Sequence, residues 1–343
     1  MPKKRVSLAD LAKELDTTPA TVSRGLRDDP RISTVMKERI HALAKERGYR
    51  VDPETTRLMA HIRSTRDKRT DSVLALLSDA RSPEELSQDP YTRSLIQGAQ
   101  KRAEELGFRL ETLRLREPGM TQSRLETILY TRAIHGVLIP PQADLPHDII
   151  LPEHHVAVVA ATAARAHHHL HRVFPDHFAN MRLLLDEVVA SGRKRIGLIT
   201  TPEMGERQRN GPLAAYHWFA KYGPKVTLVP PLIIGKHKGT LREWFFKHKP
   251  DALLGPDRWI LLEIQDVVKD FDRTAVALFG NVREGFAGID ELPEVVGSAA
   301  VDLLSAQVFR QETGVPRHPK SVLIAGEFRP GASLPMEGAQ EKI

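Results

Sequence analysis

The chain has 343 residues, enough for two or three domains at roughly 100–200 residues each. With 41% apolar and 27% charged residues it has an ordinary globular balance, which excludes collagen-like and wholly disordered chains. There is no cysteine, so a disulfide framework, a thiolate metal site and a cysteine nucleophile are all excluded. No apolar segment follows the basic start Met1-Pro-Lys-Lys-Arg, so no signal peptide is expected, and the longest apolar run, Val156 to Ala164, is too short to span a bilayer. A cytoplasmic location is the expectation.

The charge is uneven. Residues 1–70 hold 17 Lys and Arg against 10 Asp and Glu, a net of +7, while the remaining 273 residues carry a net of −1. A small basic module on a near-neutral body has the charge pattern of a polyanion-binding head. In chain order, Ser7 is placed to cap a helix whose Leu8, Leu11, Ala12 and Leu15 follow the i, i+3, i+4, i+7 spacing of one face. Asp16-Thr17 breaks it. Thr18 then caps a second helix with Pro19 at its first position and Val22 and Leu26 inward. Asp28-Asp29-Pro30 reads as a turn, and Ser33 caps a third helix with Met36, Ile40, Leu43 and Ala44 on its apolar face. A head spanning 1–50 is expected, then a short helix and charged linker over 51–70, a body over 71–335 and a frayed tail over 336–343.

From Val73 the pattern becomes alternating strands and helices. Strands are expected near Val73–Leu77, Phe108–Leu115, Gly136–Ile139, Val156–Ala161, Arg195–Thr200, Val226–Pro230, Ala252–Leu254, Ala275–Phe279 and Ser321–Glu327. The helices between them fall at Tyr91–Leu106, Gln122–Arg132, Phe178–Ser191, Leu213–Lys221, Thr240–His248, Ile260–Lys269 and Pro293–Arg310. This rhythm predicts an α/β body of two doubly wound lobes with parallel sheets, ligand binding at the carboxyl ends of the strands, and chain crossings between lobes near 162, 286 and 312.

The first two helices have the layout of a helix-turn-helix, whose second helix lies in the major groove. That would bring Pro19, Ala20 and Arg24 to base edges, Arg24 to guanine or phosphate and the other two to apolar contacts. Thr18, Thr21 and Ser23 carry hydroxyls suited to phosphate, and Ser7 is counted with them. Among seven histidines between 154 and 177, His167 and His171 are four apart but fall in an apparent loop, and neither a metal nor a cofactor is expected. No phosphate loop or nucleophile elbow is present, so an enzyme is not expected. A solute-binding or sugar-converting protein with an incidental basic head is the rival reading.

Val6-Ser-Leu-Ala-Asp-Leu-Ala-Lys-Glu-Leu, Thr17-Thr-Pro-Ala-Thr-Val-Ser-Arg24, Ile32-Ser33 and Arg47-Gly-Tyr49 closely resemble the head of lactose-repressor-type (LacI family) transcription regulators. Gly136-Val-Leu-Ile, Ser191-Gly-Arg-Lys-Arg-Ile-Gly-Leu-Ile199 and Gly297-Ser-Ala-Ala-Val-Asp-Leu-Leu304 extend the resemblance to the body. It implies a periplasmic-binding-protein-like effector domain, a homodimer, a pseudo-palindromic operator and a small polar effector, commonly a sugar. It also implies a hinge helix in 51–70 whose Leu58, beside Arg57, wedges into the minor groove; here Thr55-Thr56 replace an alanine-rich core. The family's pocket Arg, three residues before a Gly-aromatic pair, is replaced by Gln208, flanked by Arg207 and Arg209. Its Asn-Asp reads Pro256-Asp257, a later Asp reads Asn281, and Asp290-Glu291 sits near a lobe crossing. Arg207, Arg209, Asp257, Asn281 and Glu291 are the expected effector contacts. Less negative charge in the cleft favours an acidic or phosphorylated sugar over a neutral one.

Overall fold

The computed structural model describes residues 6–26, 29, 31–47, 49, 72–141, 155–164, 169–235, 240–256, 274–280, 282 and 285–335. The expected hinge over 51–70, including Arg57 and Leu58, lies outside them, as do the expected helix Ile260–Lys269, Asp257, Asn281 and the tail.

The head is three helices, α1 (Leu8–Glu14), α2 (Pro19–Gly25) and α3 (Thr34–Glu46). Each begins at the side chain anticipated to cap it. Ser7 and Asp10 form a reciprocal capping box, Thr18 Oγ1 accepts from the Thr21 amide and Ser33 Oγ from the Met36 amide. Asp16, at φ 50°, turns the chain between α1 and α2. Leu11, Ala12, Leu15, Val22, Ile40 and Ala44 are buried together, with Leu8, Leu26, Met36 and Leu43 around them. The apolar spacing therefore located the core of this small domain. Asp29, only 4% exposed, closes the turn into α3: Arg31 donates from Nε and Nη2 to its two oxygens at 2.9 and 2.6 Å.

Lobe 1 contains a six-stranded sheet, entirely parallel, built from β1 (Val73–Ser78), β2 (Arg109–Arg114), β3 (Gly136–Ile139), β4 (Ala157–Ala160), β5 (His171–Pro175) and β12 (Ser321–Ile324), in the order β12-β5-β4-β3-β1-β2. Its helices are α4 (Pro83–Gln88), α5 (Pro90–Glu105), α6 (Gln122–Thr131) and α11 (Pro293–Arg310). The backbones of α5 and α11 meet so closely that a Cβ at Gly98 would lie 2.1 Å from the Glu294 carbonyl oxygen, and one at Gly297 2.0 Å from that of Leu95. Only glycine fits either position.

Lobe 2 contains α7 (His177–Ala190), β6 (Arg195–Thr200), α8 (Pro202–Arg207), α9 (Gly211–Tyr222), β7 (Thr227–Leu228), β8 (Leu232–Ile233), α10 (Thr240–His248), β9 (Ala252–Gly255), β10 (Ala275–Leu278), β11 (Ala287–Asp290) and β13 (Glu327–Arg329). Its sheet runs β13-β11-β10-β9-β6-β7, with β8 also on β6, and among these pairings only β13 is antiparallel. In both lobes the central strands β1, β3, β4, β9 and β10 are buried on two faces, so they appear in the sequence as continuous apolar runs.

The crossings between lobes are displaced from their expected places. The chain does not leave lobe 1 near 162: it forms β5 first and crosses at Asp176. The crossing expected near 286 follows β11, at Glu291-Leu292. The one expected near 312 follows β12, at residues 325–326, so the single expected strand Ser321–Glu327 is two strands in different sheets. The His-rich composition disguised β5. His171 lies in that strand, 7% exposed, with its Nδ1 accepting from the Lys320 amide at 2.8 Å. It is a core histidine, not a loop residue. Burial first, and then the Lys320 charge, lower its pKa below the usual imidazole value. Among the described residues, no cluster of three or more His, Asp or Glu is placed to hold a metal, and no helix is long and apolar enough to cross a membrane.

Candidate nucleic-acid interface and interlobe cleft

In the head, α2 presents an exposed Pro19 and Arg24 and a half-buried Thr21. The side chains of Ala20 and Ser23 lie outside the described residues. The Thr18 and Thr21 hydroxyls lie 2.9 Å apart, and Ser7 Oγ donates to Asp10 Oδ2 at 2.7 Å. Thus Ser7 and Thr18, both exposed, use their hydroxyls to start helices; the Ser7 proton is committed to Asp10, whereas one hydroxyl proton of the Thr18–Thr21 pair is left to donate to phosphate. Val22 points the other way, fully buried, and fixes the rotation of α2 about its axis. Gly25 sits against Ile40, where an added Cβ would meet Ile40 Cδ1 at 2.3 Å, so α2 approaches α3 closely at its end. The result is a capped, rigidly seated helix with Arg24 facing solvent.

In the body, the crossings bring buried polar groups together at the carboxyl ends of lobe 2's strands. His177 opens α7 directly after the first crossing, and Glu291 begins the second. His177 Nδ1 donates to Glu291 Oε1 at 2.9 Å, with the two side chains only 10% and 8% exposed. A Cβ added at Gly280, just past β10, would lie 3.8 Å from both Gln208 Nε2 and Glu291 Oε2, which places Gln208 in the same group. Gln208 is buried. Tyr91, on the first turn of α5, brings lobe 1 to the group: burial, then the Glu291 and Asp89 carboxylates, push its hydroxyl well above the ordinary phenol range, so it stays protonated.

The turn between α8 and α9 carries Gln208 and Arg209. Arg209 and Asn210 are consecutive non-glycine residues at φ 53° and 56°, a conformation that costs of order 1–3 kcal/mol per residue. The Asn210 amide bonds the Gly205 carbonyl at 2.7 Å, and Gly211 packs against His177, where an added Cβ would meet the His177 Cβ at 3.0 Å. Held from both sides, this turn turns Gln208 inward and leaves Arg209 exposed. Arg207 is also exposed, at the end of α8. A small pocket lined by Thr200, Thr201, Gln208, Asn210 and Ile233 opens beside it.

Of the expected effector residues, Glu291 is thus in the group, Arg209 at its mouth and Arg207 beyond it. Sequence reasoning missed His177, absorbed into the histidine-rich stretch, and Tyr91. It noted Gln208 only as the replacement of an arginine.

Residues 7–52 match the family model described as bacterial regulatory proteins, lacI family. The head is a lacI-family helix-turn-helix domain. The chain is also 26% identical over 199 residues to the HTH-type transcriptional regulator Rv3575c of Mycobacterium tuberculosis, a match covering 58% of this chain and 53% of that protein. The matched stretch thus spans about half of that relative's length. Among solved structures, the chain is similar to the transcriptional regulator CelR–cellobiose complex (18% identity, TM-score 0.55, 96% of this chain and 100% of that one). It is likewise similar to the lac repressor dimer bound to operator and the anti-inducer ONPF (15% identity, TM-score 0.55, 97% and 100%). These likenesses establish the fold: a helical head and a two-lobed α/β body.

Proposed function

We propose that this chain, with its lacI-family head and two-lobed body, is a ligand-controlled, sequence-specific DNA-binding transcription regulator that acts as a repressor. The observation that carries the reading is the seating of α2. Its caps and buried Val22 hold it rigid while Arg24 projects outward from a head of net charge +7. Such a helix reads base edges in the major groove, and the surplus of cations supplies phosphate affinity. The protein acts as a homodimer on a pseudo-palindromic operator in the cytoplasm and has no catalytic role. Leu58 and Arg57 serve as hinge contacts to the minor groove, a part of the proposal that rests on the sequence resemblance alone.

A small polar ligand, a sugar or sugar derivative, binds in the interlobe cleft. The relative solved with cellobiose supports this, as does the buried polar group of His177, Glu291, Gln208 and Tyr91. Asp257 and Asn281 belong to the same proposed contact set on sequence grounds. Binding that differs between the DNA-competent and DNA-incompetent states transmits the signal. The test is selection from a random DNA library followed by gel shift. A two-fold symmetric consensus supports the reading. Recovery of no sequence preference, together with turnover of a sugar, favours the rival sugar-converting class.

A further inference from the structure

Arg172 is an arginine where a strand core residue belongs. It sits in β5 of lobe 1 as that strand's second residue, 6% exposed, level with Ala160 at the carboxyl end of β4 and beside Ser321 of β12. On this face of the sheet its neighbours toward β1 are apolar, since Leu77, Ile139 and Ala160 are all in the core cluster under α6. Its guanidinium has five donors, and only Nη2 is engaged, donating to Ser321 Oγ at 3.2 Å. Nε and Nη1 are buried without a hydrogen-bond partner. No carboxylate among the described residues pairs with it. Burial, and then the positive charge of Arg209 from the opposite lobe, lower its pKa from the ordinary arginine value.

A buried cation without a counter-charge is costly, and a second cation facing it adds repulsion. The guanidinium lies 5.6 Å from the centre of the Phe174 ring, and that ring stacks on His177 at 6.3 Å between centroids. Arg172 therefore continues the polar group at the cleft toward lobe 1. Planar N–H donors that are free, desolvated and faced by another arginine match the oxygens of a carboxylate or phosphate.

We propose that Arg172 and Arg209, one from each lobe, form a subsite for the anionic group of the effector, so that the ligand class is an acidic or phosphorylated small molecule. This rests on the cleft being the effector pocket. An anion between the two arginines removes their mutual repulsion and draws the lobes together, which makes its charge part of the closing signal.

The test uses the full-length chain with inorganic phosphate and acetate as probes, each against chloride at matched ionic strength, and reads the thermal midpoint of wild type, Arg172→Met and Arg209→Met. The expected result is a rise of several degrees in wild type with phosphate or acetate, lost in Arg172→Met and reduced in Arg209→Met. Which of the two anions acts more strongly separates a phosphorylated from a carboxylated ligand. Any phosphate effect from the basic head persists in both variants and is subtracted. Absence of a wild-type rise with either anion overturns the proposal, as does a rise of full size in both variants. If Arg172→Met does not fold, a full-size rise in Arg209→Met overturns it alone. Gel shift of the wild type on selected DNA, run in parallel, reports on the regulator reading independently of the anion site.

Discussion

His177 and Glu291, 114 positions apart in the chain, are joined by one hydrogen bond of 2.9 Å at the point where two crossings between the lobes pass each other. His177 starts the first helix of lobe 2, and Glu291 follows the last parallel strand of that lobe's sheet. The proposed ligand group is therefore built on the segments that join the two lobes. A contact made or broken there is felt by both lobes, which is the requirement for coupling binding to a change of state.

Glu291→Ala leaves the buried His177 Nδ1 without its acceptor. The expected cost is about 1–3 kcal/mol, measured by denaturant unfolding of the body, together with loss of any ligand-dependent change in operator affinity. A stability within about 0.5 kcal/mol of wild type and a normal ligand response would show that the pair holds neither fold nor ligand.

Arg24→Ala should weaken operator binding by roughly 1–3 kcal/mol and relax preference at one base pair of each half-site. Competition titration against single-base operator variants reads this directly. Equal loss on every sequence would make Arg24 a phosphate contact.

Asp29 gives the head a defined response to acid. The Arg31 fork holds its carboxyl down at about 2, below the ordinary 3.8. A group depressed in the folded state stabilises above its unfolded pKa, so the contribution is complete above about pH 4 and is lost as pH falls toward 2. Because Arg31 is 68% exposed, the interaction is screened, and Asp29→Asn should cost only about 1 kcal/mol at neutral pH. Thermal melts of the head between pH 2 and 7 should show the variant and wild type converging in acid. A gap that persists unchanged at low pH would contradict the ion-pair account.

His171 gives lobe 1 a response at milder pH. Its folded pKa is lowered from 6.5, so the unfolded chain binds the proton more readily. Stability should therefore be complete above about pH 6.5 and fall as pH drops through the folded pKa. His171→Asn keeps an acceptor for the Lys320 amide and should flatten this slope below about pH 6.5. An unchanged slope would place the acid sensitivity elsewhere.

The elements most legible in the sequence are those whose pattern is set by one buried face or one cap. Leu11, Val22 and Ile40 of the head follow helical spacing into its core, and Ser7, Thr18 and Ser33 stand where the helices begin. The central parallel strands β1, β3, β4, β9 and β10 are visible as apolar runs because both their faces are covered. β5 was not, because His171 and Arg172 occupy core positions in a strand that a hydropathy pattern reads as a polar loop. β11 and β13 are short, and they pair with each other across a long stretch of chain, Gly288 with Arg329, so pairing rather than local pattern creates them. The cleft was legible only in part for the same reason. Glu291 and Arg209 were singled out by position, whereas His177, Tyr91 and Arg172 matter through neighbours that only the fold supplies.

The most direct test of the account is the affinity of the full chain for its selected DNA site, measured by fluorescence anisotropy as salt rises from 50 to 200 mM. With the excess charge of +7 concentrated in residues 1–70 of each subunit, a dimer neutralising 6–10 phosphates should lose roughly 10³–10⁵ in affinity over that range, on a site with two-fold symmetry. Binding that is insensitive to salt, or a selected site without an inverted repeat, would contradict it.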